Sequence, residues 1–333
     1  MSKDSKNLVV NADHFLFKNR SRKYIDELIN FINNISDKSK NKINKNSLLK
    51  NKLYLDNPIT EDKKETLTQN IVELIISNHF SDLLDNFEYE PNKKSKSPEL
   101  IGFIENTQVQ VEVKCPNDKQ NVKSINNLNI KTLGRNPKNF EYYNDMKEIL
   151  KNFNLSSCLY NNKDNKVKDY LYESHMKFER KYQDDGVNIL IIVLDDIDQM
   201  NEYFFYFRFT EGAFFTKNPC LLNPEYFKNV DYVVLSSLGY FHNFYFEVES
   251  EIQWNFDKQF NIILENPFRR NSNNLNSLLS FDLSNLFFEY EFEAEDINVA
   301  NALALRIFYE KKICLKNKIS YFPKRSVKNI KYI

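Results

Sequence analysis

A β-hairpin in residues 97–116, SPELIGFIENTQVQVEVKCP, restricts the fold more than any other part of the sequence. Valine alternates with polar residues over 108–114, which is typical of a strand with one buried and one polar face. Glu105 and Asn106 would form a two-residue loop that joins this strand to the preceding one at 99–105. A loop of that length fixes which residues face each other across the two strands.

The hairpin brings two carboxylates together. Glu99 is expected directly opposite Glu112, with the two Cβ atoms ~5 Å apart, and Lys114 projects from the same face. Like charges in that position destabilise a sheet unless a cation neutralises them, and Mg²⁺ or Mn²⁺ accepts such oxygen ligands. Two carboxylate ligands beside an ammonium group suit metal-assisted hydrolysis of a phosphodiester. The hairpin is therefore the candidate active site.

This hairpin resembles the active-site motif of the PD-(D/E)XK nuclease superfamily, also called restriction-endonuclease-like. The family's Pro-Asp element corresponds to Pro98-Glu99, and its Glu-x-Lys element corresponds to Glu112-Val113-Lys114. The resemblance implies a Mg²⁺- or Mn²⁺-dependent DNA endonuclease of restriction, phage defence or DNA processing. In such an enzyme Glu99, Glu112 and the Val113 carbonyl would bind the metal, and Lys114 would position or activate water.

The order of elements agrees with the core that the resemblance implies, which is a helix, three strands, a helix and a strand around a mixed sheet. Glu73 lies on the first helix, which often contributes another acid in this family, so Glu73 would support the site. About fifty residues separate Lys114 from the helix at 167–183, so this stretch holds an insertion or the helix at 139–153 takes the family position. Apolar patterns predict helices at 21–35, 61–79, 139–153, 167–183 and about 297–312, and strands at 86–90, 99–105, 108–115, 187–194, 203–209 and 231–236.

We expect an α/β (α+β) fold in three parts. A restriction-endonuclease-like mixed sheet flanked by helices occupies 61–240. Residues 1–60 form an N-terminal helical segment, in which the Lys-, Asn- and Ser-rich residues 36–57 are a linker or a frayed connection. Residues 241–333 form a β-rich C-terminal part with a basic tail.

Basic clusters are the expected nucleic-acid contacts, because local Lys and Arg bind phosphate whatever the net charge, which here is zero. One candidate is the row Lys177, Arg180 and Lys181 on the outside of its helix. The other is Lys324 and Arg325 in the basic, aromatic tail. Solvated surface explains each stretch equally well, and a docked C-terminal strand is a further explanation for the tail.

The stretch 240–293 combines aromatic and acidic residues, a composition that repels DNA. It is expected to build a β-rich core. The alternative is a surface for a protein partner, and a homodimer is also a candidate assembly.

The spacing of the glycines and cysteines argues against Rossmann-type dinucleotide oxidoreductases, P-loop NTPases, zinc fingers and disulfide frameworks. The five glycines are too far apart for a dinucleotide-binding turn or a P-loop, and the four cysteines form no C-x-x-C pair. Apolar runs fall far short of the ~20 residues of a membrane helix, and the N-terminus lacks the apolar segment of a signal peptide. We therefore expect a cytoplasmic protein without a membrane association.

Two alternatives remain open at this point. Glu-x-Lys recurs by chance in Lys-rich chains, so the hairpin is also compatible with an edge strand whose Glu112 and Lys114 are solvated. A non-catalytic subunit that keeps the nuclease fold and binds or scaffolds a nucleic-acid-processing or defence complex is the competing function. Metal binding separates the two functions, since a scaffold needs no Mg²⁺ or Mn²⁺ site.

Overall fold

The computed structural model describes most of the N-terminal two thirds of the chain and shorter stretches beyond it. The described residues are 14, 16, 21–55, 61–91, 97–116, 130–131, 148–149, 151–152, 159–160, 163–178, 186–195, 197–208, 212–214, 223–243, 251–259, 261–270 and 286–287.

A mixed seven-stranded sheet forms the centre of the described structure, and a separate parallel pair accompanies it. The strands are β1 (Asp85–Tyr89), β2 (Leu100–Ile104), β3 (Thr107–Lys114), β4 (Ile130–Lys131), β5 (Leu159–Tyr160), β6 (Val187–Val193), β7 (Tyr232–Ser236), β8 (Asn261–Glu265) and β9 (Leu286–Phe287). The order in the sheet is β1-β2-β3-β6-β7-β8-β9. The first three strands are antiparallel neighbours, β6 and β7 continue parallel to β3, and β8 is antiparallel to β7.

Helices flank this sheet. They are α1 (Arg22–Lys38), α2 (Lys45–Leu53), α3 (Glu61–Leu83), α4 (Lys163–Lys177), α5 (Ile197–Arg208) and α6 (Leu238–Asn243), and short 3₁₀ turns lie at Pro224–Tyr226, Glu251–Trp254 and Phe256–Lys258. The expected α/β class, a mixed sheet with flanking helices, is confirmed. None of the helices within the described ranges is both long and apolar enough to cross a membrane.

The hydrophobic core forms where helices α1 to α3 cover one face of the sheet. Leu28 and Ile32 of α1 and Leu74 of α3 pack in one cluster with Val111 of β3 and Ile189 of β6. The Ser21 hydroxyl caps α1 by accepting a hydrogen bond from the backbone N–H of residue 24 (3.1 Å), and the predicted apolar stripe of this helix is buried. The core therefore joins the N-terminal segment to the sheet.

Two elements differ from the sequence-based expectation. The predicted linker at 36–57 contains α2, which Asn44 caps by accepting a hydrogen bond from the backbone N–H of Ser47. The predicted strand at 203–209 is part of helix α5. Both stretches carry apolar residues at helical spacing that their Lys/Asn-rich or aromatic composition concealed. The buried residues are Leu48, Leu49 and Leu53 in α2, and Met200, Tyr203, Phe204 and Phe207 in α5.

The remaining predicted elements agree in type where they are described. The five other strands are present within one or two residues, and the helix predicted at 61–79 extends to Leu83. The chain is helical at 148–149 and 151–152, inside the helix predicted at 139–153. The helix predicted at about 297–312 lies outside the described residues, as does most of the part predicted to be β-rich. β8, which lies beyond residue 240, pairs with β7 in the central sheet.

Candidate active site

The hairpin has the register that the sequence predicts. Leu100 of β2 pairs with Val111 of β3, so Glu99 and Glu112 occupy the next positions along the two strands. The loop residue Glu105 adopts the left-handed region, with φ 55°, as tight hairpin loops require. The predicted pairing of the two strands is confirmed.

Glu112 is buried within the sheet. β3 pairs with β2 on one side and with β6 on the other, where Glu112 lies beside Leu190. The residue is 0% exposed. A carboxylate in such a place loses its hydration and destabilises the fold unless cations or hydrogen-bond donors compensate it. The alternative in which Glu112 and Lys114 are solvated on an edge strand is therefore wrong.

One lysine joins the two hairpin carboxylates. The Nζ atom of Lys177, at the end of α4, lies 2.6 Å from Oε1 of Glu112 and 3.5 Å from Oε1 of Glu99. The side chains of Lys177 and Glu99 are 22% and 21% exposed, so this ion pair lies at the rim of the site while Glu112 lies at its base. Both carboxylates are thus close enough to share a single cation.

Lys114 lies on the same side of the sheet as Glu112. Its Nζ atom is 3.2 Å from Oε1 of Glu112 and donates a hydrogen bond of 2.8 Å to Glu173 of α4. Burial lowers the pKa of Lys114, but the carboxylates of Glu112 and Glu173 outweigh burial and raise it. In this environment Lys114 is an ammonium group that can orient water or meet a negative charge.

The second oxygen of Glu112 has no hydrogen-bond partner among the described residues. Oε1 contacts the ammonium groups of Lys114 and Lys177, whereas Oε2 is buried and accepts no hydrogen bond from the described part of the chain. An unsatisfied buried carboxylate oxygen destabilises a fold more than a neutral polar atom does, so it calls for a compensating contact. Such an oxygen is a suitable ligand for a divalent cation.

A second group of carboxylates adjoins the first through Glu99. Glu73, Glu90 and Glu99 each place one oxygen within 4.8 Å of the others, an arrangement that can hold a metal ion. Lys52 of α2 pairs with this group, with Nζ 2.7 Å from Glu73 and 2.9 Å from Glu90. The hydroxyl of Tyr89 also donates a hydrogen bond to Glu73. The structure thus brings Glu73 beside Glu99, as its assignment to the site requires.

The sequence alone does not single out Glu90, Lys52 or Tyr89 as residues of the site. Glu90 directly follows the first strand of the sheet, and acids at strand ends are usually solvated, so its position alone gave no signal. Lys52 lies in the stretch interpreted as a linker. Lys177 is expected from the sequence to bind DNA on the outside of its helix, whereas its side chain turns onto the two hairpin carboxylates.

The other predicted nucleic-acid contacts lie outside the described residues. They are Arg180, Lys181, Lys324 and Arg325. Val113, whose carbonyl was assigned to the metal, is buried in β3 between Glu112 and Lys114.

A small cleft, with a cavity volume of about 20 Å³, opens next to the hairpin at the ends of β3 and β6. Cys115, which directly follows Lys114, lines it together with Gln69 and Glu65, which lie one and two turns before Glu73 on α3. Asp195, which follows β6, also lines the cleft. Burial and the nearby acids raise the pKa of Cys115, so its thiol stays protonated and is a poor nucleophile. The cleft adjoins the hairpin through Cys115, and its described lining includes neither Glu99 nor Glu112.

The crowded carboxylates give Glu99 an unusual proton affinity. Burial, Glu73 and Glu112 raise its pKa from 4.5 to about 7, although Lys177 and Lys52 act in the opposite direction. The folded protein therefore holds a proton on Glu99 that the unfolded chain releases near pH 4.5.

We expect the metal-free protein to lose stability as the pH rises from about 4.5 to 7. Protonated Glu99 favours the folded state, so its contribution of up to about 3 kcal/mol is complete below pH 4.5 and disappears above pH 7. Denaturant unfolding at several pH values, with EDTA present, measures this effect. Asp231, whose pKa burial raises to about 7, adds a slope of the same sign. The free energy of unfolding should therefore fall less steeply with rising pH in the Glu99→Gln variant than in the wild type. Equal slopes would contradict the raised pKa of Glu99.

Comparisons of the chain with profiles of known protein families, with curated proteins and with solved structures find no match.

Proposed function

We propose that this protein is a DNA endonuclease of the PD-(D/E)XK type that depends on Mg²⁺ or Mn²⁺. The single observation that carries the proposal is the buried carboxylate of Glu112, which contacts Lys114 and Lys177 through one oxygen and has no described partner for the other. A sheet that buries a charge at this position gains no packing from it. A metal-binding role explains why it is there.

The arrangement of strands and helices supports this proposal. Helix α3 precedes the antiparallel strands β1 to β3, and the short parallel pair β4 and β5 comes next. Helix α4 then leads to β6, which lies parallel to β3. With the β4–β5 pair set aside as an insertion, this is the order of elements that the resemblance implies for a restriction-endonuclease-like core. The Glu-x-Lys element lies on the third strand and Pro-Glu directly precedes the second, as the motif requires.

The residues of the site fit a hard divalent cation. Glu99, Glu112 and the Val113 carbonyl would bind the ion directly. Glu73 would either bind the ion as a further ligand or support the residues that bind it. The bound ion would polarise the phosphate and lower the pKa of a coordinated water. Lys114, held by Glu112 and Glu173, would orient that water and stabilise the charge that develops on the phosphate.

A second candidate function is a non-catalytic subunit with a nuclease-like fold. The observation in its favour is that Lys52, Lys114 and Lys177 pair with the carboxylates, as in a salt-bridge network that only stabilises a fold. The unpaired oxygen of Glu112 argues against it, because a purely structural network would satisfy a buried carboxylate.

We expect the purified full chain to nick or cut supercoiled plasmid with Mg²⁺ or Mn²⁺, and to leave it intact with EDTA. Lys114→Ala should slow cleavage at least about 10²-fold, because a cation beside the reacting phosphate is lost. Lys45→Ala, which removes the same charge from an exposed pair with Asp37, should not change the rate. Agarose gels over time measure both rates.

Parallel reactions on single-stranded DNA and on RNA identify the substrate class. Calorimetric titration with Mn²⁺ separates the two candidate functions. A protein that binds no Mn²⁺ and cuts no nucleic acid would be the scaffold rather than the enzyme.

A further inference from the structure

We propose that Lys177 is a counter-ion which a divalent metal displaces from Glu99 and Glu112, and that the released ammonium group then binds the phosphate of the substrate. This inference rests on the proposed function and assigns a second cationic residue to it. It also explains two observations about Lys177. The residue belongs to a basic row in the sequence, and in the structure it contacts the carboxylates of the site.

The displacement of Lys177 by a metal is inferred from the position of its Nζ atom. It contacts both hairpin carboxylates at once, at 2.6 Å from Glu112 and 3.5 Å from Glu99, which is where a shared metal would find its ligands. An ammonium group and a dication within a few ångströms of each other repel strongly in a partly buried site. The two cations therefore compete for the same oxygens, and a divalent ion attracts each oxygen twice as strongly as an ammonium group at the same distance.

Lys52, Lys114 and Lys177 all contact carboxylates of the site, and their contacts identify which lysine the metal displaces. Lys52 pairs with Glu73 and Glu90, and Lys114 keeps Glu173 as a partner besides Glu112. The carboxylate partners that the structure records for Lys177 are the two residues that would bind the metal. Within the described residues, a metal on Glu99 and Glu112 thus removes both ion pairs of Lys177, whereas Lys52 keeps Glu90 and Lys114 keeps Glu173.

The place of Lys177 in the fold lets it move. It is the last residue of α4, and its neighbour Phe178 is buried, so the backbone is anchored while the side chain is free to turn. Its side chain is 22% exposed, whereas Glu112 is fully buried. A lysine stem has four rotatable carbon units and swings without disturbing a helix. The ammonium group can therefore reach the solvent side of the carboxylates, where a bound phosphate would approach the metal.

Removal of the competing charge gives the decisive test. Lys177→Gln should bind Mn²⁺ roughly tenfold tighter or more in calorimetric titration at neutral pH, because no ammonium has to be displaced. Lys177→Arg retains the charge and should stay near the wild type. Lys38→Gln removes a lysine from an exposed pair with Asp82 and should not change the affinity. A merely structural Lys177 would leave metal affinity unchanged or weaken it when replaced.

A labelling experiment checks the movement in the unmodified protein. Reductive methylation followed by mass spectrometry should show faster modification of Lys177 when Mn²⁺ is added, with no change at Lys52. An equal or slower rate at Lys177 with the metal, or an unaltered Mn²⁺ affinity in Lys177→Gln, would overturn the displacement.

Binding of duplex DNA tests the second half of the proposal. With Ca²⁺ as a metal that does not support cleavage, Lys177→Gln should bind DNA more weakly than the wild type, with a shallower salt dependence. An unchanged DNA affinity would overturn the phosphate contact. If Lys177→Gln binds Mn²⁺ more tightly while the wild type cuts no nucleic acid, the endonuclease proposal fails and the displacement stands.

Discussion

Replacement of Glu112 by glutamine is expected to reduce DNA cleavage by at least about 10³-fold. The substitution keeps the shape of a side chain that is 0% exposed, but removes the charge that would hold the metal. It also removes the partner that holds Lys114 and Lys177 in place. Initial rates on plasmid, measured at saturating Mg²⁺, give the loss of activity, and calorimetry gives the loss of Mn²⁺ affinity.

The control for this substitution is Glu105→Gln, which makes the same change of charge at the exposed tip of the same hairpin. It should retain full activity. Thermal melting shows whether Glu112→Gln is folded. Glutamine removes a desolvated charge but also the shared partner of Lys114 and Lys177, so a cooperative transition at a lower melting temperature than that of the wild type is expected. A folded Glu112→Gln variant that cleaves DNA at the wild-type rate would contradict the proposed function.

The hairpin was predictable because its information is local. The alternating valines, the two-residue loop and the two acids all lie within about fifteen residues, and a loop of that length leaves one register. The structure has that register, with Leu100 opposite Val111. The apolar strands β6 and β7 were predictable for a similar reason, since a short run of consecutive apolar residues favours a buried strand.

The partners of the hairpin were not predictable, because they come from distant parts of the chain. Lys177 reaches Glu112 across 65 positions, and Lys52 reaches Glu73 across 21. Which lysine meets which acid depends on how α2 and α4 pack on the sheet. A single sequence contains no such information for a Lys- and Glu-rich chain, in which every turn of a helix offers a candidate.

The errors in the fold have a different cause, since they arose from composition. The aromatic run in α5 favours strands by propensity, yet its buried residues recur at helical spacing and tertiary packing decides the outcome. The Lys- and Asn-rich stretch before α3 was interpreted as a linker, although Leu48, Leu49 and Leu53 bury one side of α2. That error also hid Lys52, because a residue in a linker has no fixed place relative to the site.

Lys52→Met is expected to destabilise the metal-free protein by about 3 kcal/mol at neutral pH. Methionine replaces the aliphatic stem, so little packing is lost, but Glu73 and Glu90 lose their shared cation. Their side chains are 15% and 30% exposed, and breaking a buried ion pair leaves a charge with poor hydration. Denaturant unfolding with EDTA at pH 7 measures the loss.

Lys38→Met, which makes the same change of charge at an exposed ion pair, is the control for Lys52→Met. Lys38 and Asp82 are 41% and 54% exposed, so Lys38→Met should cost less than about 1 kcal/mol. The double variant Lys52→Met/Glu73→Gln should recover part of the lost stability, because one of the uncompensated charges is gone. Equal effects of Lys52→Met and Lys38→Met would mean that Lys52 is only a surface charge.

A divalent cation should reverse the effect of Lys52→Met. The oxygens of Glu73, Glu90 and Glu99 lie within 4.8 Å of one another, and Lys52→Met removes the lysine that pairs with the first two. A metal ion that binds the folded state there raises the melting temperature with its concentration, whereas the unfolded chain does not assemble these ligands. Mn²⁺ should therefore stabilise Lys52→Met more than the wild type. A smaller or equal stabilisation would mean that Lys52 does not take the place of a cation among these three acids.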